Sequence, residues 1–194
     1  MSKVHDFFGG FQVSKPEVNV LSAGVHVVHI SKFLLTDASR TYSGELKTDL
    51  KPWVDVHPQL AVTYAAVDGR GVITDRFNTK GNLRYDELTE AQRKSGKFEN
   101  VEGYACITNN AGELERVESP ERTTQCHNIL NKFAQAAGLK EGENLIEGLN
   151  AAIAEKRQLT ITVSSDTYEG KDQLRVTRFT AAKAVKTASS DFEA

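Results

Sequence analysis

Aromatic and cationic side chains occur together in two predicted loops of this chain. The loop at about 37–51 contains Arg40, Tyr42 and Lys47, and the loop at about 166–172 contains Tyr168 and Lys171. A flat ring offers a face on which a base can stack, and a neighbouring cation can follow the phosphates of a single strand. These residue types therefore indicate a surface for a single-stranded nucleic acid. Four further candidates for that surface lie on predicted strands, namely Trp53, Arg76, Arg175 and Phe179.

Each candidate also has a simpler structural explanation. A lone tryptophan such as Trp53 is usually a core residue, although it falls on the wetter side of the second predicted strand, in phase with His57. Phe179 shares a predicted strand face with Arg175, which favours a stacking platform, but it could equally pack beneath an insertion at 79–120. The cations could be solvated surface charges.

The sequence lacks the motifs of catalysis and of metal binding. It contains no phosphate-binding Gly-x-x-x-x-Gly-Lys-Ser/Thr loop and no Gly-x-Ser-x-Gly elbow. Its two cysteines, Cys106 and Cys126, form no Cys-x-x-Cys pair, and no His-x-x-x-His spacing occurs. The carboxylates of 113–121 favour a solvated face over an acid–base pair. We therefore expect no enzyme activity, no cofactor and no bound metal.

The composition is that of a globular protein. The chain has 194 residues, of which 39% are hydrophobic and 26% charged, and its net charge is −2. Seven bases outnumber three acids in 156–186, whereas 99–121 contains six acids and one base. No run approaches about 18 consecutive apolar residues, the first residues lack a secretory signal, and cysteine is scarce. We therefore predict a cytoplasmic protein that does not bind membranes.

Three strands are predicted in the first half of the chain. Residues 24–36 are rich in Val, Ile, Phe and Leu. Residues 53–66 alternate with period two, which predicts a strand whose even positions are buried and in which Pro58 marks a bulge or an edge. A tight turn at 68–71 leads to a third strand at 72–77, so the three strands are predicted to form an antiparallel meander.

The hydrophobic period then changes to that of a helix. Apolar residues recur at offsets 0, 3, 4, 7, 8 and 11 between 121 and 137, and Gly138 follows. A second helix is predicted over about 143–156. An antiparallel hairpin closes the pattern, and in its last strand Arg178 has the parity of Val176, which argues against a phosphate contact.

The domain organisation follows from these elements. We predict an N-terminal arm at 1–20, one domain over 21–185 and a flexible C-terminal tail at 186–194. Within the domain, residues 79–120 are interpreted as an insertion with an extra hairpin and a short helix at about 86–94.

Three meandering strands, a helical segment and a final hairpin are the element order of an OB-fold. The predicted class is therefore mainly β with α. It is a five-stranded Greek-key barrel with a helical segment between strands three and four and an inserted extra hairpin. An OB-fold binds oligonucleotides across its second and third strands, between the loops that contain Tyr42 and Tyr168 in this chain.

Several stretches carry a resemblance to a known family. They are 24–30 (GVHVVHI), 60–64 (LAVTY), 73–78 (ITDRFN), 128–133 (NILNKF) and 159–163 (LTITV). In their layout, over about residues 20–185, they resemble the bacteriophage-type single-stranded DNA-binding proteins with a helix-bearing OB-fold. The resemblance implies sequence-tolerant binding of single-stranded DNA during phage replication or recombination, in the cytoplasm of the host.

The resemblance also implies partners. Residues 191–193 (DFE) resemble the acidic tail with an aromatic residue through which related proteins recruit replication or recombination proteins. The simpler alternative is a disordered terminus. The aromatic residues of the arm, Phe7, Phe8 and Phe11, are expected to dock on the core or on a neighbouring subunit of a homo-oligomer. The alternative function is that of a β-rich viral structural or assembly protein without nucleic-acid binding.

Overall fold

The computed structural model describes residues 19–37, 52–54, 57–168 and 171–182, and only the backbone of Tyr168 and Lys171. The predicted arm up to residue 18 and the tail at 186–194 lie outside the described residues. The described chain is mainly β-structure with a few helices. None of these helices has the length and apolar character needed to cross a membrane.

Strands dominate the order of elements in the described chain. The strands are β1 (Gly24–Asp37), β2 (Pro58–Ala66), β3 (Val72–Asn78), β4 (Glu99–Val101), β5 (Tyr104–Thr108), β6 (Leu114–Arg116), β7 (Gln158–Tyr168) and β8 (Lys171–Ala181). The helices are a 3-10 turn (Tyr85–Glu87), α1 (Glu90–Lys94), α2 (Pro120–Ala136) and α3 (Leu145–Ala154).

Five strands form one antiparallel sheet in the order β3-β2-β1-β7-β8. β1 is the central strand because it pairs with both β2 and β7. The predicted meander is confirmed, and the final hairpin extends beyond its predicted strands. Strands β4, β5 and β6 form a separate sheet.

The second strand is shorter than predicted. It begins at Pro58 rather than near Trp53. Proline has no N–H to donate to a ladder, and the first position of a strand tolerates it. The strand therefore starts at the residue that the pattern had placed at a bulge or edge, and Trp53 is not part of it.

The predicted alternation of β2 is confirmed on its even side. Leu60, Val62 and Tyr64 are buried in the core. The odd-numbered side of β2 is more buried than predicted, because Ala61 is also buried. Ala61 lies between Leu34 of β1 and Arg76 of β3, whose longer side chains flank its small methyl group.

A β-bulge in β8 changes which residues of that strand face the core. Thr162 of β7 lies opposite Arg178, but the next residue, Val163, lies opposite Val176, so Thr177 is the extra residue. A bulge shifts the period-two alternation by one residue. Val176 and Phe179 consequently both pack against the core although their positions differ in parity.

Helix α2 confirms the helix predicted from the apolar spacing. The side chain of Ser119 caps it by accepting a hydrogen bond from the backbone N–H of Arg122, and Pro120 occupies its first turn. Gly138, with a φ of +79°, follows the end of the helix. The helix buries Phe133 and Ala136.

Helix α3 packs closely against the segment that follows α2. Asn144 caps it, and its buried residues are Gly148, Leu149 and Ala152. A Cβ atom at Gly148 would lie 2.6 Å from Cγ of Leu139, so this position has no room for a side chain. The second predicted helix is thus confirmed over a slightly shorter span.

Phe133 of α2 is the centre of an aromatic cluster that draws together the two edges of the five-stranded sheet. Its ring lies 4.7 Å from Phe77 of β3, 5.6 Å from Phe179 of β8 and 6.1 Å from Tyr64 of β2, centroid to centroid. In a flat sheet β3 and β8 would be about 19 Å apart, four spacings of about 4.8 Å. Phe77 and Phe179 are 5.5 Å apart, so the sheet curls around α2.

The insertion is more elaborate than one hairpin. Strand β5 pairs with β4 on one side and β6 on the other, which gives a three-stranded sheet. The predicted short helix is split into the 3-10 turn and α1. The backbone N–H of Leu83 donates to the carbonyl of Val117 at 2.8 Å, which ties the beginning and end of the insertion together.

We expect Phe133→Ala to lower the free energy of unfolding by about 3–5 kcal/mol, because it leaves a cavity among three other aromatic rings. Ile129→Ala on the same helix should cost less than about 1 kcal/mol, since Ile129 is 51% exposed. Urea unfolding of both variants measures the difference. Equal losses would contradict the central position of Phe133.

Candidate nucleic-acid interface

The structure places four of the nine candidate residues with their side chains. Arg40, Tyr42 and Lys47 lie outside the described residues. Tyr168 and Lys171 are paired across the ends of β7 and β8, and nothing is described of their side chains. The remaining four are Trp53, Arg76, Arg175 and Phe179, and they do not share one surface.

Arg76 lies on the outer face of the sheet, which we define as the side of β1, β2 and β3 opposite the aromatic cluster. Its Nη1 donates to Oε1 of Gln59 at 3.0 Å and to the carbonyl of Asp37 at 3.4 Å. Gln59 Nε2 in turn donates to Oδ1 of Asn78 at 2.5 Å. Arg76, Gln59 and Asn78 thus form a hydrogen-bonded row along the ends of β2 and β3, which we call the polar row.

Short side chains continue the outer face beyond the polar row. The hydroxyl groups of Thr63 and Thr74 are 2.9 Å apart across β2 and β3. Lys32 of β1 lies opposite Thr63 and is exposed. Among the described side chains of this face there is no Phe, Tyr or Trp, so a base stacking on a ring must find that ring elsewhere.

The prediction that Phe179 forms a stacking platform beside Arg175 is wrong. The bulge at Thr177 turns Phe179 toward the core, where its ring lies 5.6 Å from Phe133. The same bulge reverses the argument against Arg178, which lies opposite Thr162 and is exposed. Arg175 is also exposed, and its Nη1 lies 3.8 Å from Oδ2 of Asp166.

A carboxylate lies on the core side of β3, behind the outer face. Asp75 is opposite Val62, and burial raises the pKa of its carboxyl to about 6, although the backbone N–H of Arg76 and the charge of Arg175 act in the opposite direction. Burial, and secondarily the charge of Asp75, raises the pKa of Tyr64 well above its ordinary value. The influence of Arg175 on Asp75 also fits a curled sheet in which β8 approaches β3.

Trp53 packs against the insertion and is not part of the second strand. The backbone N–H of Val54 donates to the carbonyl of Leu114 in β6 at 2.9 Å, which places Trp53 beside the three-stranded sheet. Its ring meets that of Tyr104 edge to face at 5.5 Å. The prediction that Trp53 shares a strand face with His57 is therefore wrong.

Two arginines add to this aromatic pair. The guanidinium carbon of Arg116 lies 4.6 Å from the centre of the Trp53 ring, and that of Arg84 lies 4.3 Å from the centre of the Tyr104 ring. Such cation–π contacts contribute about 0.5–2 kcal/mol each and hold the side chains in fixed positions. We call these four residues the arginine–aromatic stack.

A cleft of about 380 Å³ separates the beginning of β2 and the end of β3 from the three-stranded sheet and the start of α2. Its lining combines amides, cations and a ring, and includes Gln59, Asn78, Lys80, Tyr104, Arg116 and Arg122. Cys126 and Ile129 of α2 also line it, which explains why Ile129 is exposed despite its place in the apolar stripe.

Ion pairs order two of the cations at the cleft. Lys80 Nζ lies 3.0 Å from Oε2 of Glu118, and Arg122 pairs with Glu87. The hydrogen bond from Lys80 lowers the pKa of Glu118, and hydrogen bonds from the backbone N–H of Arg84 and from Arg122 lower that of Glu87. All four side chains are about 40% exposed, so these pairs stabilise the fold weakly. A phosphate that binds Lys80 or Arg122 competes with the paired carboxylate.

Sequence reasoning proposed Arg76 as a site residue and did not predict the cleft. Lys80, Tyr104, Arg116 and Arg122 come from four separate segments, and no spacing between them has a recognisable period. The available signal was the recurrence of arginines around the insertion, at 84, 116 and 122, beside its aromatic residues.

No protein-family model matches this chain, and no similar curated protein was found. Within the described ranges, no three His, Cys, Asp or Glu side chains lie close enough together to hold a metal ion. The function is therefore inferred from the geometry of the described residues.

We expect Asp75→Asn to stabilise the protein at pH 7 and to have little effect at pH 4. The folded-state pKa of Asp75 is about 6, above the ordinary value of 3.8, so the folded state holds this proton more tightly than the unfolded state. The carboxyl therefore costs stability progressively as the pH rises from about 4 to about 6, by roughly 1–3 kcal/mol in all. Urea unfolding of both proteins across this range gives the difference; a constant difference would contradict the burial of this carboxyl.

Proposed function

We propose that the chain is a non-enzymatic, sequence-tolerant single-stranded DNA-binding protein that binds its ligand along the outer face of β2 and β3. Strand order supports this proposal. The order β3-β2-β1-β7-β8 is that of an OB barrel opened between its third and fifth strands, with α2 and α3 in the place of the helix between strands three and four. The contact of Phe77 with Phe179 brings those two strands near each other.

The polar row is the observation that carries the proposal. Arg76 is the cation on the face where OB-folds bind oligonucleotides, and two hydrogen-bond acceptors hold its guanidinium in place. A cation held in advance loses less conformational freedom when a phosphate binds. Beside it Thr74 is partly exposed and adds a short hydroxyl side chain to this face, whereas Thr63, its hydrogen-bond partner, is buried.

Further cations extend the same surface. Lys32 is exposed on the outer face of β1, and Arg178 lies farther along the same side of the sheet on β8. In an OB-fold, two loops flank the bound oligonucleotide. We assign this position to the predicted loops at about 37–51 and 166–172, with Tyr42 and Tyr168 as stacking rings and their neighbouring cations as phosphate contacts. Arg175 stays a proposed phosphate contact, and Phe179 is withdrawn from the site.

Electrostatic capture followed by stacking is the proposed mechanism. Binding should weaken as salt rises, with a slope of log affinity against log salt of about −3 to −4 if five phosphates are neutralised at ~0.7 each. Exposed single strands of phage replication or recombination are the proposed ligand. No cofactor is needed for this activity.

We expect Arg76→Ala to weaken binding of a thymidine oligonucleotide by about 5–30-fold and to reduce the salt slope by ~0.7, because one phosphate contact is lost. Arg70→Ala is the matched control, since Arg70 lies on the exposed turn between β2 and β3 and pairs locally with Asp68. Fluorescence anisotropy at several salt concentrations measures both quantities.

Equal affinities and equal slopes for the two variants would contradict a phosphate contact at Arg76. Failure of the unaltered protein to bind at low salt, together with large salt-resistant assemblies on size exclusion, would instead favour the alternative of a β-rich viral structural protein.

A further inference from the structure

The cleft is continuous with the outer face of β2 and β3. Gln59 and Asn78 belong to the polar row and also line the cleft. A strand that follows β2 and β3 past Arg76 in this direction therefore arrives at the cleft. No gap in the polar surface separates the two among the described residues, because Arg76, Gln59 and Asn78 are joined by hydrogen bonds.

The size of the cleft suits one nucleotide. Its volume is about 380 Å³, near the lower end of the roughly 300–1,000 Å³ of small-molecule sites. The cleft therefore has room for a base with its sugar and phosphate.

The lining contains the groups that a nucleotide requires. Tyr104 and Arg116 both line the cleft, whereas the described side chains of the outer face offer no ring. Arg84 covers one side of the Tyr104 ring and Trp53 one side of the Arg116 guanidinium, so a base would stack on the opposite side of either group. The amides of Asn82 and Gln125 supply donors and acceptors for a base edge. Lys80 and Arg122 supply positive charge for a phosphate.

The start of α2 is fixed at the cleft by close packing. A Cβ atom at Gly81 would lie 2.2 Å from Cβ of Arg122, so only glycine allows this approach. The backbone N–H of Ser119 donates to the carbonyl of Gly81 at 2.8 Å, and the N–H of Gly81 donates to Oγ1 of Thr123 at 3.0 Å. Arg122 therefore projects from the positive end of a 17-residue helix, where an anion is further favoured.

We infer that the cleft holds one nucleotide of the bound strand, with its base against Tyr104 and Arg116 and its phosphate between Lys80 and Arg122. This inference rests on the proposed function, since it assigns the place where a strand leaving the outer face ends or turns. It gives the insertion a role in binding. It also replaces Phe179 as the source of a stacking surface near the sheet.

Trp53 is the only tryptophan in the chain, and Arg116 lies over its ring. Its fluorescence therefore reports on Arg116 and, through it, on the cleft. Titration with deoxythymidine monophosphate should give a saturable change in Trp53 fluorescence. The double variant Lys80→Ala/Arg122→Ala should weaken this response about tenfold or more. Lys94→Ala, which removes an exposed ion pair with Glu90 elsewhere in the insertion, should leave it unchanged.

Comparison of oligonucleotides with deoxythymidine monophosphate separates the cleft from the outer face. The double variant should bind thymidine oligonucleotides of about 4 to about 16 nucleotides roughly tenfold more weakly than the unaltered protein, because each of them can place one nucleotide in the cleft. Its salt slope for long oligonucleotides should fall by about 1.4, two contacts at ~0.7 each. Arg76→Ala should weaken the binding of oligonucleotides and leave the response to deoxythymidine monophosphate unchanged, because Arg76 does not line the cleft.

Cys126 provides a measurement that needs no variant. It lines the cleft and is partly exposed, whereas Cys106, the only other cysteine, is buried. Deoxythymidine monophosphate should slow the modification of Cys126 by a thiol reagent.

Three results distinguish the possible failures. Tight binding of oligonucleotides without any nucleotide effect on Trp53 or Cys126, and with full affinity in the double variant, would overturn the cleft assignment and leave the outer face intact. No oligonucleotide binding at all would overturn the proposed function. A nucleotide effect without oligonucleotide binding would overturn both, because the cleft would then be a site for free nucleotides.

Discussion

The packing of Phe133 between the two edges of the five-stranded sheet is the contact on which the rest of the structure depends. It draws Phe77 of β3 and Phe179 of β8 to 5.5 Å from each other, although these strands are the two edges of the sheet. The curl buries one face of the sheet around α2 and leaves the opposite face of β2 and β3 outward. The polar row on that outer face is therefore a consequence of aromatic packing on the inner one.

The bulge in β8 is required by this packing. If Thr177 were paired as a regular strand residue, Val176 and Phe179 would point to opposite sides of the sheet, and only one of them could pack on the core. The same shift turns Arg178 outward. The bulge thus allows Val176 and Phe179 to pack together on the core while Arg178 lies on the outer side of the sheet. The outer side consequently lacks the ring of Phe179.

A division of tasks follows from the proposed function and the inference drawn from the cleft. The described outer face supplies a fixed cation and short polar side chains, which suit a phosphate backbone. The arginine–aromatic stack and the cleft supply flat surfaces, which suit a base. Asn78 and Gln59 lie in both regions, so a bound strand passes from one to the other without leaving hydrogen-bonding groups.

The order of elements was predictable from the sequence, and the directions of several side chains were not. Periods of 2 and of 3.6 are properties of neighbouring residues, so β1, β3 and α2 could be located from local pattern alone. The direction of the Phe179 side chain depends on a bulge, and a bulge leaves no periodic signal in the sequence. The period-two pattern predicted that Trp53 lies in the second strand. That strand begins at Pro58, and a hydrogen bond from Val54 to Leu114 joins the segment with Trp53 to the insertion.

The cleft was beyond sequence reasoning for a related reason. Lys80, Tyr104 and Arg122 meet only because the insertion folds back between β3 and α2, which no local period encodes. Arg76 could be proposed because its strand was regular. Its partners, Gln59 and the carbonyl of Asp37, became visible only once the register of three strands was known.

The most direct test of the central claim is the binding of the unaltered protein to a fluorescently labelled single-stranded thymidine oligonucleotide of about 30 nucleotides, long enough to exceed the site of a single OB-fold. Anisotropy at low and at moderate salt, with unlabelled duplex as competitor, gives affinity and strand preference together. The account requires tight, salt-sensitive binding that duplex does not displace. Absence of binding at low salt, or displacement by an equal amount of duplex, would contradict it.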